Sequence, residues 1–82
     1  MSANDIRTVI AEALEEVAPG SDLDSIDPDE DFVYELDIDS MDFLNFVIAV
    51  NAKTGIEIPE RDYPKLASLN EAIAYLEGSR VG

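Results

Sequence analysis

The chain has 82 residues, 46% of them hydrophobic, and its 19 acidic against 5 basic side chains give a formal net charge of −14, with neither histidine nor cysteine present. Such a chain builds one small domain with a modest core, has no disulfide staple and no thiolate or imidazole metal site, and repels nucleic-acid phosphates instead of neutralising them. No secretory leader and no spanning apolar run is legible, so the expectation is a cytoplasmic monomer that does not insert into membranes.

Asn4 or Asp5 can cap a first helix that runs to about Val17. Ile6, Val9, Ile10, Ala13, Leu14 and Val17 recur at the spacing of one helical face, and Pro19-Gly20 ends the pattern. Residues 20–39 read as a long acidic loop. From Ser21 to Asp42 there are ten acids and no base, a run whose self-repulsion suits recognition of a basic partner better than stability. Leu23, Ile26, Phe32, Leu36 and Ile38 are too apolar for a free linker, so the loop should pack on the helices, with room for helical turns near Asp22 or Asp29.

A second helix is predicted over Ser40–Thr54, stopped by Gly55. Ile56-Glu57-Ile58-Pro59 alternates like a strand but has no strand to pair with, and reads as an extended connector. A short third helix follows near Arg61–Lys65. Ser68 then caps a last helix, Leu69–Glu77, that turns Leu69, Ala72, Ile73 and Leu76 inward and stops at Gly78, leaving Ser79–Gly82 to fray. The sum is an all-α four-helix bundle, three helices long and one short, in a single domain over 1–82 with an ordered core at 3–78.

The second helix is apolar on two sides. Phe43, Phe46, Val47, Val50 and Thr54 form one stripe wide enough to face a core. Met41, Leu44 and Ile48 lie on another face with Asn45, Asn51 and Ala52. A domain of this size can hardly surround a helix, so that second face is as well explained by a partner as by burial.

Asp39-Ser40-Met41 opens this helix and places a hydroxyl at its N-terminus, with Asp39 as N-cap and Asp42 positioned to complete a capping box. Hydrolytic chemistry at Ser40 lacks a base: there is no histidine, and Lys53 lies about three and a half turns along the same helix. Asp39 and Asp42 read as a cap and a solvated charge, not an acid–base pair. A calcium loop starting at Asp27 fails too, since Phe32 stands where such a loop needs glycine and Ile38 where it needs its closing glutamate. The chain is therefore not expected to be an enzyme; Ser40 looks like a point to which another protein attaches something.

These segments together resemble the acyl carrier proteins over most of the chain. The likeness rests on Phe32-Val33-Tyr34-Glu35-Leu36 leading into Asp37-Ile38-Asp39-Ser40-Met41-Asp42, on the apolar helix of matching length, on Gly55-Ile56-Glu57-Ile58-Pro59, and on the tail Ser68-Leu69-Asn70-Glu71-Ala72-Ile73-Ala74-Tyr75-Leu76. The resemblance implies a four-helix bundle whose Ser40 is esterified with 4'-phosphopantetheine from coenzyme A by a phosphopantetheinyl transferase. The arm's thiol would hold acyl groups as thioesters for acyl-loading and acyl-transfer enzymes of fatty acid biosynthesis or related lipid metabolism. By the same matching, Asp39 would help hold magnesium during transfer. Partners would meet Asp39, Met41, Asp42, Leu44, Asn45, Ile48, Asn51 and Ala52. Acyl chains would fold back toward Phe43, Phe46, Val47, Ile58 and Tyr63, residues that ordinary core packing explains more simply. Two departures stand out. Asp37 takes the place of the family's usual glycine, so a turn needing positive φ must be reshaped or tolerated. Asn45, Asn51 and Ala52 replace the glutamates of housekeeping carriers, which points to a specialised carrier. A stand-alone aminoacyl or peptidyl carrier, and an unmodified interaction protein on the same fold, are the competing readings.

Overall fold

In the computed structural model, which describes residues 3–79, helix α1 spans Ala3–Val17 and buries Ile6, Ile10, Ala13 and Leu14 completely. It starts one residue before the expected caps, so Asn4 and Asp5 both lie inside the first turn, where the Asp5 carboxylate suits the positive helix end. Gly20, at φ 87°, supplies the left-handed residue that turns the chain after Pro19.

The acidic loop is organised, not free. Asp22 caps a single 3₁₀ turn at Leu23–Ser25 through the Asp24 amide at 3.0 Å, and Leu23 is buried beneath it. Arg7 of α1 reaches Asp24 at 2.9 Å. The second turn of helix forms as α2 (Phe32–Glu35) and not around Asp29, because Phe32 is the residue with apolar surface to bury and is fully enclosed. The middle of the loop is fastened to the far end of the chain. Asp31 and Ser68 form an antiparallel bridge, Phe32 N–H donates to the Ala67 carbonyl at 2.8 Å, and Asn70 Nδ2 donates to Asp29 at 2.7 Å.

Helix α3 occupies Ser40–Thr54, with Gly55 in the left-handed conformation at its C-terminus. It buries Phe46, Val47 and Val50, and Phe46 meets Phe32 edge-on with ring centroids 5.3 Å apart. Residues 56–59 belong to no helix or strand, as a connector should, and Ile56 is tied back to α3 through Thr54 and Asn51. The short helix that follows is a 3₁₀ helix, Glu60–Leu66, longer than the expected Arg61–Lys65. Pro64 inside it has no amide to donate, and Leu66, fully buried, pins its end.

Helix α4 runs over Leu69–Ser79. The Ser68 hydroxyl accepts from the Glu71 amide at 3.3 Å and donates to the Glu71 carboxylate at 3.0 Å. Gly78 does not stop this helix: it lacks the positive φ by which a glycine turns a chain out, and Ser79 still belongs to α4. The expected fraying beyond it, at 80–82, lies outside the described residues. α1 packs against both α3 and α4, and the 3₁₀ helix packs on α4. The result is a helical bundle with no strand among the described residues and no helix long and apolar enough to cross a membrane.

Candidate functional site

The approach to Ser40 is set by the residues before it. Leu36 is half-buried and Ile38 is 92% buried, with exposed Asp37 between them. Asp37 adopts φ 51°. The turn keeps the backbone a glycine would favour, and Asp is among the few other residues that tolerate it. Asp39 is then extended, and its Oδ1 accepts the Asp42 amide at 2.8 Å. Ser40 follows as the first residue of α3, exposed, and among the described residues no hydrogen bond engages its hydroxyl. Ser40 thus sits at the N-terminus of a 15-residue helix, whose positive end favours an added anion.

The outer face of α3 is narrower than the sequence suggested. Met41 and Ile48 are 62% and 54% exposed, and Asn45 and Ala52 are exposed beside them. Asp42 and Leu44 are half-buried. Asn51 is turned toward the connector, where its Nδ2 donates to the Ile56 carbonyl at 2.6 Å. Lys53 belongs to the α1 side, 3.2 Å from Glu16. Sequence reading passed over Val33 and Tyr34, which are exposed on α2, Tyr34 by 77%. The signal was present: Phe32 and Leu36, four residues apart, share the inner face and leave Val33 and Tyr34 outside.

A groove of about 500 Å³ runs beside α3. Val47, Ile48 and Asn51 form one wall, and Glu57, Ile58, Pro59 and Tyr63 the other. Three of the expected acyl-pocket residues, Val47, Ile58 and Tyr63, therefore meet here. Phe43 and Phe46 do not line it; they pack on each other with centroids 6.0 Å apart, and Phe46 is sealed in the core. Behind the groove, the Tyr75 hydroxyl donates to Asp62 Oδ2 at 2.8 Å, and Lys65 stands 3.5 Å from the other carboxylate oxygen. The Tyr75 hydrogen bond is the main reason that the Asp62 carboxyl is held below its ordinary 3.8. No group of three metal-ligating side chains exists among the described residues.

Comparison with known proteins adds a family. The phosphopantetheine attachment site family matches residues 4–76. An acyl carrier protein of Acidothermus cellulolyticus is 31% identical over 99% of this chain and 95% of its own length. One from Helicobacter pylori is 31% identical over 94% of this chain and 92% of its own length. A meromycolate extension acyl carrier protein of Mycobacterium tuberculosis is 35% identical over 83% of this chain, which spans 58% of that longer protein.

Proposed function

Because this chain belongs to the acyl carrier proteins, carriers that bear a covalent 4'-phosphopantetheine, we propose that Ser40 is the residue to which the arm is attached. The observation that carries this reading is an exposed, unengaged hydroxyl on the first residue of α3, next to the Asp39 cap. These residues fit the group: the helix terminus receives the phosphodiester charge, and nothing crowds the hydroxyl. When bound, the arm supplies the thiol that holds cargo as a thioester. In the transfer Ser40 Oγ would form the new bond to the pantetheine-bearing phosphorus as the pyrophosphate bond of coenzyme A breaks. Adenosine 3',5'-bisphosphate would leave, the hydroxyl proton would pass to a base of the transferase, and the exposed Asp39 carboxylate would help hold magnesium. The Val47–Ile58–Tyr63 groove shelters the acyl chain.

The protein acts as a monomer in the cytoplasm and meets its transferase and acyl-handling enzymes through Asp39, Met41, Asp42, Leu44, Asn45, Ile48 and Ala52. Asn51, bonded to Ile56, serves the groove more than the docking face. Neutral Asn45 and Ala52 support a specialised lipid or secondary-metabolite pathway over bulk fatty-acid synthesis, since basic docking patches find fewer charges there.

Incubation with coenzyme A, magnesium and a broad-specificity transferase should add one arm by intact mass, and Ser40→Ala should take none. An arm on that variant overturns the assignment, and an unmodified native chain favours the interaction-protein reading. Changing Asn45 and Ala52 to Glu should speed loading of the holo protein by a general fatty-acid elongation enzyme, most at low salt. No gain removes the support for a specialised carrier.

A further inference from the structure

The wall of the groove opposite α3 ends in Tyr63, and Tyr63 stands on an insecure element. The 3₁₀ helix Glu60–Leu66 has the poorer hydrogen-bond geometry of its type and a proline within it. It rests on α4. Buried Leu66 holds its C-terminal end. In its middle, next to Tyr63, the Tyr75 hydroxyl of α4 donates to Asp62 Oδ2 at 2.8 Å. A bond to a carboxylate is among the stronger kind. The neighbouring Lys65–Asp62 contact, at 3.5 Å with Lys65 65% exposed, contributes little.

We propose that Asp62 and Tyr75 are a positioning pair that fixes the Tyr63 wall of the groove and thereby sets how long an acyl chain lodged there stays shielded from solvent. The cargo part rests on the carrier function proposed above; the positioning of the wall does not. Asp62 and Tyr63 are adjacent, so releasing one frees the other. Val47 and Ile48 lie on α3, outside the reach of the pair, so only one wall should move.

Amide hydrogen exchange on the unloaded protein tests the positioning. Tyr75→Phe and Asp62→Ala should each speed exchange at residues 60–66 by about tenfold, with the buried stretch of α1 around Ile10 unchanged as the sign of an intact fold. Asp62→Asn keeps a neutral acceptor for the phenol and should fall between native and Asp62→Ala. The double variant Tyr75→Phe/Asp62→Ala should exchange no faster than either single one. Native exchange in Tyr75→Phe, or additive effects in the double variant, overturns the pair. The cargo consequence is read on holo protein carrying a decanoyl arm, by the rate at which hydroxylamine cleaves the thioester. Tyr75→Phe should be cleaved several-fold faster than native, while an acetyl arm, too short to lodge, should show no difference. Faster exchange with equal decanoyl cleavage overturns the shielding role. Failure of the native chain to accept any arm is instead a failure of the carrier reading, and the exchange result still decides whether the pair holds the wall.

Discussion

The two ends of α3 are built on opposite plans. At the N-terminus one side chain does the fastening: Asp39 caps the Asp42 amide, and the chain before it passes through a left-handed Asp37. At the C-terminus the bonds are layered. Gly55 N–H returns to Asn51, Asn51 Nδ2 donates to Ile56, and the Thr54 hydroxyl both donates to Val50 and accepts from Ile56. Lys53 adds a tie to α1. The lightly fastened end carries the exposed serine; the stapled end frames the groove. One helix thus combines an exposed terminal serine with a firmly held groove wall.

The comparison assumes that the middle of the helix is immobile, and Phe46 tests that first. Phe46→Ala removes a fully enclosed ring and should cost about 3–5 kcal/mol in denaturant unfolding, near the whole stability of a domain this small. Ile48→Ala, two residues away on the exposed side, should cost less than about 0.5 kcal/mol. Similar losses at both would mean that the two faces have been exchanged. Between the ends, Asn51→Ala should cost about 1–2 kcal/mol, because it frees a partly buried carbonyl, and Asp39→Ala about 1 kcal/mol, the ordinary value of a cap. A larger loss at Asp39 would reverse the ranking of the two ends. The smallest effect is read by pH. The Asp62 carboxyl titrates below 3.8 when folded, so the stability it draws from Tyr75 is complete above that value and is lost as pH falls through the lower, folded one. The gap in melting temperature between native and Tyr75→Phe protein should therefore close in acid below about pH 3.8; a gap that widens there contradicts the assigned direction.

Sequence reading was most successful where one residue decides an outcome. Asp39 and Gly55 bracketed α3 correctly because a cap and a left-handed glycine are local devices. Most of the inner faces of α1 and α4 followed from spacing, although Val9, Val17 and Ile73 are only half-buried. It was least successful where the outcome depends on distant partners. Gly78 signals a stop only if the chain turns there, and it does not. Asn51 read as a docking residue because its bond to Ile56 exists only after Gly55 has folded the connector back. Phe43 and Phe46 share an apolar stripe with Val47, yet the phenyl rings pack together while Val47 reaches the groove. The bridge between Asp31 and Ser68 left no trace in the side chains, since backbone atoms make it.

That bridge bears on the order in which the molecule assembles. The contact of Asp29 with Asn70 spans 41 residues of sequence, and Phe32 is held by Ala67. A long closure of this kind carries a large entropic cost and forms after local helices. Its partners sit at the start of α4, so on a growing chain residues 29–32 lack this mooring until α4 begins to be synthesised, although Arg7 can already reach Asp24. Once made, the closure divides one long excursion into two short ones, and the second of these delivers the chain to Ser40. A nascent chain halted before Ala67 would hold Ser40 but not the mooring of the segment that leads to it, which couples the placement of this serine to synthesis of the start of α4.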